Sequence, residues 1–415
     1  MTKRSARWID GKRTGSATAL TRLPNWSSSL TSDRLRSGGF GLYIHWPFCQ
    51  AKCPYCDFNS HVWQHIDQSR WTKAYLSELD RVAAETPDRV LNSVFFGGGT
   101  PSLMEPETVD QILSRIRANW PIANDFEVTL EANPTSVEAQ RFAGYRQAGV
   151  NRVSMGFQAL NDNDLKALGR LHNVSDALKA YEIAQEVFDR FSFDLIYARQ
   201  NQTVTDWEKE LRQALAMGPT HLSLYQLTIE EGTAFGDRFA RGLLRGLPDE
   251  EVAAKMYEIT QALTVEAGLP AYEISNHARA NDVSLHNLIY WRGGDYLGIG
   301  PGAHGRVSIG KDRFATDTEL APQVWLQQVE TLGSGEKSRD VITKYDQGLE
   351  YVMMSLRLAE GCDLDRLAEI SSNQVKLNNI NKLESLSLIS RENSTLRVPT
   401  DKRILLNSIL AELVA

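Results

Sequence analysis

Gly41-Leu-Tyr43-Ile-His45-Trp-Pro-Phe-Cys49-Gln-Ala-Lys52-Cys53-Pro-Tyr55-Cys56 runs from an apolar and aromatic stretch straight into three cysteines spaced Cys-x3-Cys-x2-Cys. A strand that delivers ligands at its carboxyl end is how α/β proteins gather chemistry on one rim of a parallel sheet. Three thiolates on one short loop are one too few for a tetrahedral zinc site, and the number that holds three corners of a [4Fe–4S] cube. The fourth iron is then open to another ligand. A disulfide is disfavoured, because three clustered cysteines are an odd number and Cys362 lies far away. Zinc is the serious alternative, since His61 or His65 could complete a set of four.

Beyond the cysteine loop the same alternation repeats. Short β-branched or aromatic runs at 41–45, 93–96, 127–131, 152–156, 193–197 and 222–227 are separated by helical patterns. Residues 108–119 follow Pro106 and place Val109, Ile112, Leu113 and Ile116 on one face; 249–267 does the same with Val252, Met256, Ile259 and Leu263 before Gly268 and Pro270. Six strand-then-helix units predict an α/β fold with a parallel sheet and helices outside it, a barrel or partial barrel. A doubly wound sheet is the alternative, although no glycine fingerprint dominates its first turn.

Nearly every unusual residue falls after one of these strands. The cysteine loop follows the first, Gly97-Gly98-Gly99-Thr100-Pro101 the second, and Glu131-Ala-Asn133-Pro134 ends the third. Met155-Gly156-Phe157-Gln158 ends the fourth, Asp194 sits on the fifth, and Thr228 and Glu230-Glu231-Gly232-Thr233 follow the sixth. Taken singly, a triple glycine is more often a turn, and a polar residue at a strand end more often a solvated loop position or a cap. Six such motifs on one rim predict one site.

The order and spacing of Glu131-x-x-Pro134, Gly156-x-Gln158, Arg170 twelve residues on, and Asp194-Leu-Ile-Tyr197 resemble the radical S-adenosylmethionine proteins of the oxygen-independent coproporphyrinogen III oxidase family. That resemblance implies a partial (β/α)6 TIM-like barrel over residues 40–275, a connecting region at 276–335 and a small winged-helix-like domain at 336–415. It implies Cys49, Cys53 and Cys56 as ligands of a [4Fe–4S] cluster. Gly98, Gly99 and Thr100 would hold the methionyl amine of S-adenosylmethionine. Tyr43, Tyr55, Glu131, Gln158, Arg170, Asp194 and Thr228 are the other expected contacts, with Asp194 suited to a ribose hydroxyl. One stretch departs from the pattern: Ala198-Arg199-Gln200-Asn201-Gln202-Thr203 stands where the family usually has Gly-Leu-Pro-x-Gln-Thr.

Within that family the closer likeness is to the HemW-type haem chaperones. The oxidases carry a further cysteine two residues after the third, whereas this chain has Cys56-Asp57-Phe58. His286-Asn287-Leu-Ile-Tyr290-Trp291 matches the chaperones' His-Asn-x-x-Tyr-Trp motif. The implied function is to bind haem and pass it to acceptor proteins, respiratory ones among them, with an electron donor serving the cluster and a homodimer as one assembly. His286 would offer an imidazole to haem iron, with Asn287, Tyr290 and Trp291 beside the porphyrin; His304 is a second candidate ligand. The alternative is a radical enzyme that decarboxylates a porphyrinogen, and whether the chain turns over S-adenosylmethionine stays open.

The 415 residues have room for one large domain of about 250 residues and a smaller one. A formal charge of −7 argues against a general nucleic-acid binder, and no run of about 20 apolar residues suggests a membrane span. Residues 1–39 carry eight Lys or Arg against two Asp, are rich in Ser, Thr and Gly, and read as a disordered basic tail. A cytoplasmic protein is expected, with mitochondrial import as the alternative if that tail is a transit peptide.

Overall fold

The computed structural model describes residues 38–414, so the expectation for the basic tail falls outside the described residues except at Gly38 and Gly39. Six strands pair in parallel and in chain order: β1 (Phe40–Trp46), β2 (Leu91–Gly98), β3 (Ile122–Ala132), β4 (Arg152–Gln158), β5 (Arg190–Tyr197) and β6 (His221–Gln226). The links between them carry helices α1 (Gln68–Glu85), α2 (Pro106–Asn119), α3 (Phe142–Ala148), α4 (Val174–Val187) and α5 (Val204–Ala216), and α6 (Glu250–Glu266) follows β6. Strand order never reverses along these six, which sets the sheet apart from a doubly wound one.

Alternation along each strand decides what faces where. Leu42, Ile44 and Trp46 of β1, Val94 and Phe96 of β2, Val128 and Leu130 of β3, and Phe193 and Leu195 of β5 are all under 3% exposed in the main core. The helices supply the other half of that core: Val109, Ile112, Leu113 and Ile116 of α2 are all buried, as their spacing predicts. The opposite face is polar. It carries Ser93, Glu127, Thr129, Glu131, Arg152, Ser154, Ser192, Asp194, His221 and Ser223. Buried polar groups must find partners. Here the Arg152 guanidinium donates to Ser192 Oγ at 3.0 Å, Ser192 Oγ to Ser154 Oγ at 3.0 Å, and Ser223 Oγ to Asn276 Oδ1 at 2.8 Å.

Residues 276–335, expected as a connecting region, continue this same sheet. β7 (Asn276–Ala278) pairs antiparallel with β6, while β8 (Asp295–Ile299) pairs in parallel with β1 at the other side. From β8 the chain runs antiparallel through β9 (His304–Ile309), β10 (Asp312–Thr318) and β11 (Glu336–Val341). Helix α7 (Leu285–Trp291) lies between β7 and β8, and α8 (Pro322–Leu332) returns to the main core. There Trp325 stacks on Trp71 of α1 with ring centroids 5.6 Å apart and planes 2° from parallel. Sequences such as Asp312–Thr318 and Glu336–Val341 lack an apolar alternation, so only pairing with a neighbour makes them strands.

A second core forms in the last 80 residues around Val352, Leu356, Leu396, Ile409 and Leu413. Helices at Lys344–Ser355, Leu364–Ile370 and Leu406–Val414 surround a three-stranded sheet of Cys362–Asp363, Ser390–Glu392 and Thr395–Arg397. Within 374–388 helix forms only over Ile380–Ser385. Ser372, Asn373 and Asn379 all adopt positive φ just before it. Such residues bond to their own backbone in turns and so resist helix propagation. Among the described residues no helix is long and apolar enough to cross a membrane.

The Trp71–Trp325 stack makes α8 part of the main body. Trp325→Ala is expected to cost about 3–5 kcal/mol in a single cooperative denaturant transition. A loss under about 1 kcal/mol, or a separate early transition, would show that α8 is peripheral.

Candidate functional site

The carboxyl ends of β1 to β6 surround a cavity of ≈ 420 Å3. Its lining brings together Cys49, Cys53, Tyr55, Cys56, Gly99, Thr100, Glu131, Gln158, Arg170, Asp194 and Thr228, eleven of the residues expected from sequence. Strand β1 ends in Trp46, and the cysteine loop starts at once with Cys49 buried and Cys53 and Cys56 half-buried. Gly99 passes so close that a Cβ would lie 2.7 Å from the Phe48 carbonyl oxygen, and at Gly98 (φ 110°) it would strike the His45 ring.

Each sulfur has a polar neighbour. Thr100 Oγ1 lies 3.4 Å from Cys49 Sγ, Arg170 Nη1 3.4 Å from Cys53 Sγ, and Ser60 Oγ 3.9 Å from Cys56 Sγ. Burial pushes the Cys49 and Cys56 thiols up. Bound iron reverses that, since a coordinating thiol is deprotonated. Three thiols on one wall of a cavity this size suit an iron–sulfur cluster. Neither histidine offered as a fourth zinc ligand lines the cavity; His61 Nε2 instead meets Asn59 Oδ1 at 3.1 Å. The remaining cysteine, Cys362, is fully buried in the C-terminal core, where burial raises its thiol to about 12.

Two half-buried carboxyls, Glu131 and Asp194, line the same cavity. Burial, then the neighbouring Asp194, raises Glu131 to about 8, although the Gly98 N–H donates to it. Burial raises Asp194 to about 6, opposed by Ser223 and by the Arg152 and Arg170 charges. Arg170 ties the two walls together: Nη2 donates to Asn133 Oδ1 at 2.6 Å and to the Gly156 carbonyl at 2.9 Å, while Nε is buried without a partner. A pocket with protonatable carboxyls and a fixed cation is ready for a ligand carrying both signs of charge. Asn133, Ser154 and Tyr225 also line it and are absent from the expected set. The signal for Ser154 was available, because it shares a face with Gly156 by the period of two.

Other expected residues lie elsewhere. Tyr43 does not line the cavity; its ring stacks on Phe95 and His286, and its hydroxyl meets His45 Nδ1 at 3.1 Å. Gly98 stands behind the cavity, facing Glu131 through its backbone. His286, Asn287, Tyr290 and Trp291 belong to α7, at the amino ends of the strands, away from the cysteines. His286 is 1% exposed there. Its Nδ1 meets Ser93 Oγ at 2.8 Å and its Nε2 meets the Tyr290 hydroxyl at 2.7 Å. Glu127 accepts from the backbone N–H groups of Leu285 and His286 at 3.2 and 3.1 Å, anchoring the helix start. With both ring nitrogens engaged, His286 is not placed to ligate iron in this conformation. Burial lowers its pKa to about 3. Trp291 lies under the Arg357 guanidinium, 5.1 Å from the ring centroid.

The departing loop after β5 keeps an unusual backbone. Ala198 has φ 57° and Asn201 φ 59°, the left-handed region where glycine is normally used. Arg199 turns inward instead, ion-paired at 2.6 Å with both Glu210 and Asp164 and donating to the Ile196 carbonyl. It thereby ties β5 to the loop after β4. Arg199→Met leaves Glu210 buried without its cation, and a loss of about 3–5 kcal/mol is expected by chemical denaturation. Ala198→Gly relieves the strained φ and should cost nothing or add up to about 1 kcal/mol.

The carboxyl pair gives a pH test. Both groups are raised, so their protonated forms favour the fold below the ordinary carboxylate range near pH 4, and that contribution is lost as pH rises through about 6 and then about 8. Urea midpoints of the ligand-free protein, compared with Glu131→Gln, should converge at low pH and separate in favour of the variant above about pH 8. A constant difference at every pH would contradict the assignment.

The Radical SAM superfamily model matches residues 43–214. "Heme chaperone HemW" of Escherichia coli is 40% identical over 321 residues, covering 77% of this chain and 82% of that protein. "Radical S-adenosyl methionine domain-containing protein 1, mitochondrial" of Danio rerio is 37% identical over 395 residues, covering 92% and 89%. The structure of coproporphyrinogen III oxidase (HemN) from Escherichia coli superposes with a TM-score of 0.75 over 93% of this chain and 94% of that one, at 20% identity, a likeness of fold. Membership of the radical SAM superfamily implies a [4Fe–4S] cluster and S-adenosylmethionine as cofactors. The chain belongs to the radical S-adenosylmethionine family that includes HemW and radical S-adenosyl methionine domain-containing protein 1.

Proposed function

We propose that this protein binds haem and passes it to acceptor proteins, carrying its cluster and S-adenosylmethionine at the rim cavity. The observation that carries the reading is the cysteine loop itself. It supplies three thiols to the cavity, and then Asp57 and an exposed Phe58 where the related oxidases have a further cysteine. The HemW relatives at 39–40% identity support the same reading.

In this proposal Cys49, Cys53 and Cys56 hold the cluster, and Arg170 beside Cys53 offsets its negative charge. Gly99 and Thr100, Glu131, Gln158, Asp194, Tyr55 and Thr228 hold S-adenosylmethionine, with Gly98 setting Glu131 through its N–H. A bound cluster supplies one electron to the sulfonium of S-adenosylmethionine. The residues of the cavity orient that ligand and keep water from it. The partners proposed are haem, haem-accepting proteins, an electron donor and a second copy of the chain. Residues 336–415 fit a winged-helix-like module for packing or partner contact. The compartment proposed is the cytoplasm, and the Danio rerio relative's name supports mitochondria as the alternative. A complete cofactor cavity also favours the second reading, a radical enzyme acting on a porphyrinogen.

Anaerobic reconstitution followed by haem titration separates the two. Saturable, near one-to-one Soret binding without decarboxylation of coproporphyrinogen is expected; porphyrinogen turnover without haem binding would replace this reading with the second. Cys49→Ala, Cys53→Ala and Cys56→Ala should each abolish the reduced-cluster EPR signal, whereas Cys362→Ala keeps full iron content. A full signal in any of the first three would remove the cluster assignment.

A further inference from the structure

His304 and His286 occupy opposite surroundings. Where His286 is sealed at the amino ends of the strands, the His304 side chain is 66% exposed at the start of β9, on the carboxyl-end side of the sheet. Its Nδ1 bonds to Asp317 Oδ1, and Asp317 Oδ2 accepts from Ser338 Oγ at 3.1 Å. The ring is thus held from behind through a carboxylate that is itself anchored, and Nε2 has no partner among the described residues. Metal-ligating histidines are oriented in this way, one nitrogen bonded to a carboxylate and the other free for the metal.

The chain segments on either side of it are tied to the cysteine loop, whose Asn59 Nδ2 donates to the Pro301 and Leu320 carbonyls. Three residues after Asp317, Leu320 is 53% exposed, and its carbonyl accepts from Asn59 Nδ2 at 2.9 Å. Phe58, next to Asn59, and Val62, three residues on, are each 55% exposed. Nε2 of the buried His45 meets the Asn59 carbonyl at 2.9 Å and His61 Nε2 meets Asn59 Oδ1 at 3.1 Å, which ties this loop to the end of β1. Lys52 is exposed on the same loop, its amine 3.4 Å from the Ser60 carbonyl. Large apolar side chains left in water around an oriented imidazole and a cation mark a binding surface.

An iron porphyrin matches that combination: a flat apolar ring, a metal that takes an imidazole, and anionic carboxylates at one edge. A bare metal ion does not, because outside the cysteine loop no three His, Cys, Asp or Glu among the described residues are grouped to hold one. We propose that His304 is the axial ligand of the haem iron, with the porphyrin lying against Phe58, Val62 and Leu320 and a propionate at Lys52. The inference rests on the haem-binding reading above. It places the cargo beside the cofactor mouth, which Lys52 and Phe58 also line.

The test is a titration of the cluster-reconstituted full chain with haemin, followed by Soret absorption and ferric haem EPR. His304→Ala should weaken binding at least about tenfold and remove the axial-imidazole signature from both spectra, with cluster content and S-adenosylmethionine binding unchanged. Added imidazole should restore the signal to His304→Gly. Asp317→Asn should weaken binding by about 10–100-fold, and Leu320→Asp should also weaken it. His286→Ala should keep the ligand signature if it keeps the fold. Unchanged affinity and spin state in His304→Ala overturns the site while leaving haem binding intact. Absence of haem binding by the unaltered protein overturns the proposed function and this site with it.

Discussion

The strict alternation along β1 to β6 is the constraint on which the rest depends. One set of side chains must be apolar to bury under the helices, and the other set is then free to be polar. In a filled (β/α) barrel, bulky branched residues take that second set and close the interior. Here Glu127, Arg152, Ser154, Asp194 and Ser223 take it. The polar face survives because Arg152, Ser192 and Ser154 satisfy one another, because Ser223 meets Asn276, and because the carboxyl end of the sheet opens into a cavity.

That polar interior is closed at one end and open at the other. At the amino end α7 sits across it, held by Glu127 on its first N–H groups and by the His286–Ser93 and His286–Tyr290 bonds. At the carboxyl end the loops stay apart and present thiols, a guanidinium and two raised carboxyls to a ligand. Arg170 is the joint between the two walls of that mouth, touching Cys53, Asn133 and the Gly156 carbonyl at once. A chemical role at the mouth and a structural role at the floor follow from the same ladder of strands.

The loop after β5 shows how a motif can change while a backbone is kept. Ala198 holds the left-handed conformation, where glycine is the residue that adopts it without strain. The cost is offset by Arg199, whose guanidinium bonds to two carboxylates and a carbonyl beneath the loop. Sequence comparison alone reads the change as a variation of the loop, and the ion pairs show which restraint holds it.

Much was legible before any coordinates. The six strands, the faces of α2 and α6, the three thiols and the rim motifs follow from periodicity and spacing, which are local properties of the chain. The placement of the His-Asn-x-x-Tyr-Trp motif was not, because a histidine beside aromatic residues has the same spelling whether it meets a ligand or plugs a barrel. Strands β8 to β11 were hidden for a related reason: their polar sequences become strands only by pairing with β1 and with one another. The sequence by itself determined which residues could carry the chemistry and which end of each strand they occupy. Only the tertiary structure decided which of them share one cavity, which histidine is sealed and which is exposed, because burial and hydrogen-bond partners are set by segments far apart in the chain.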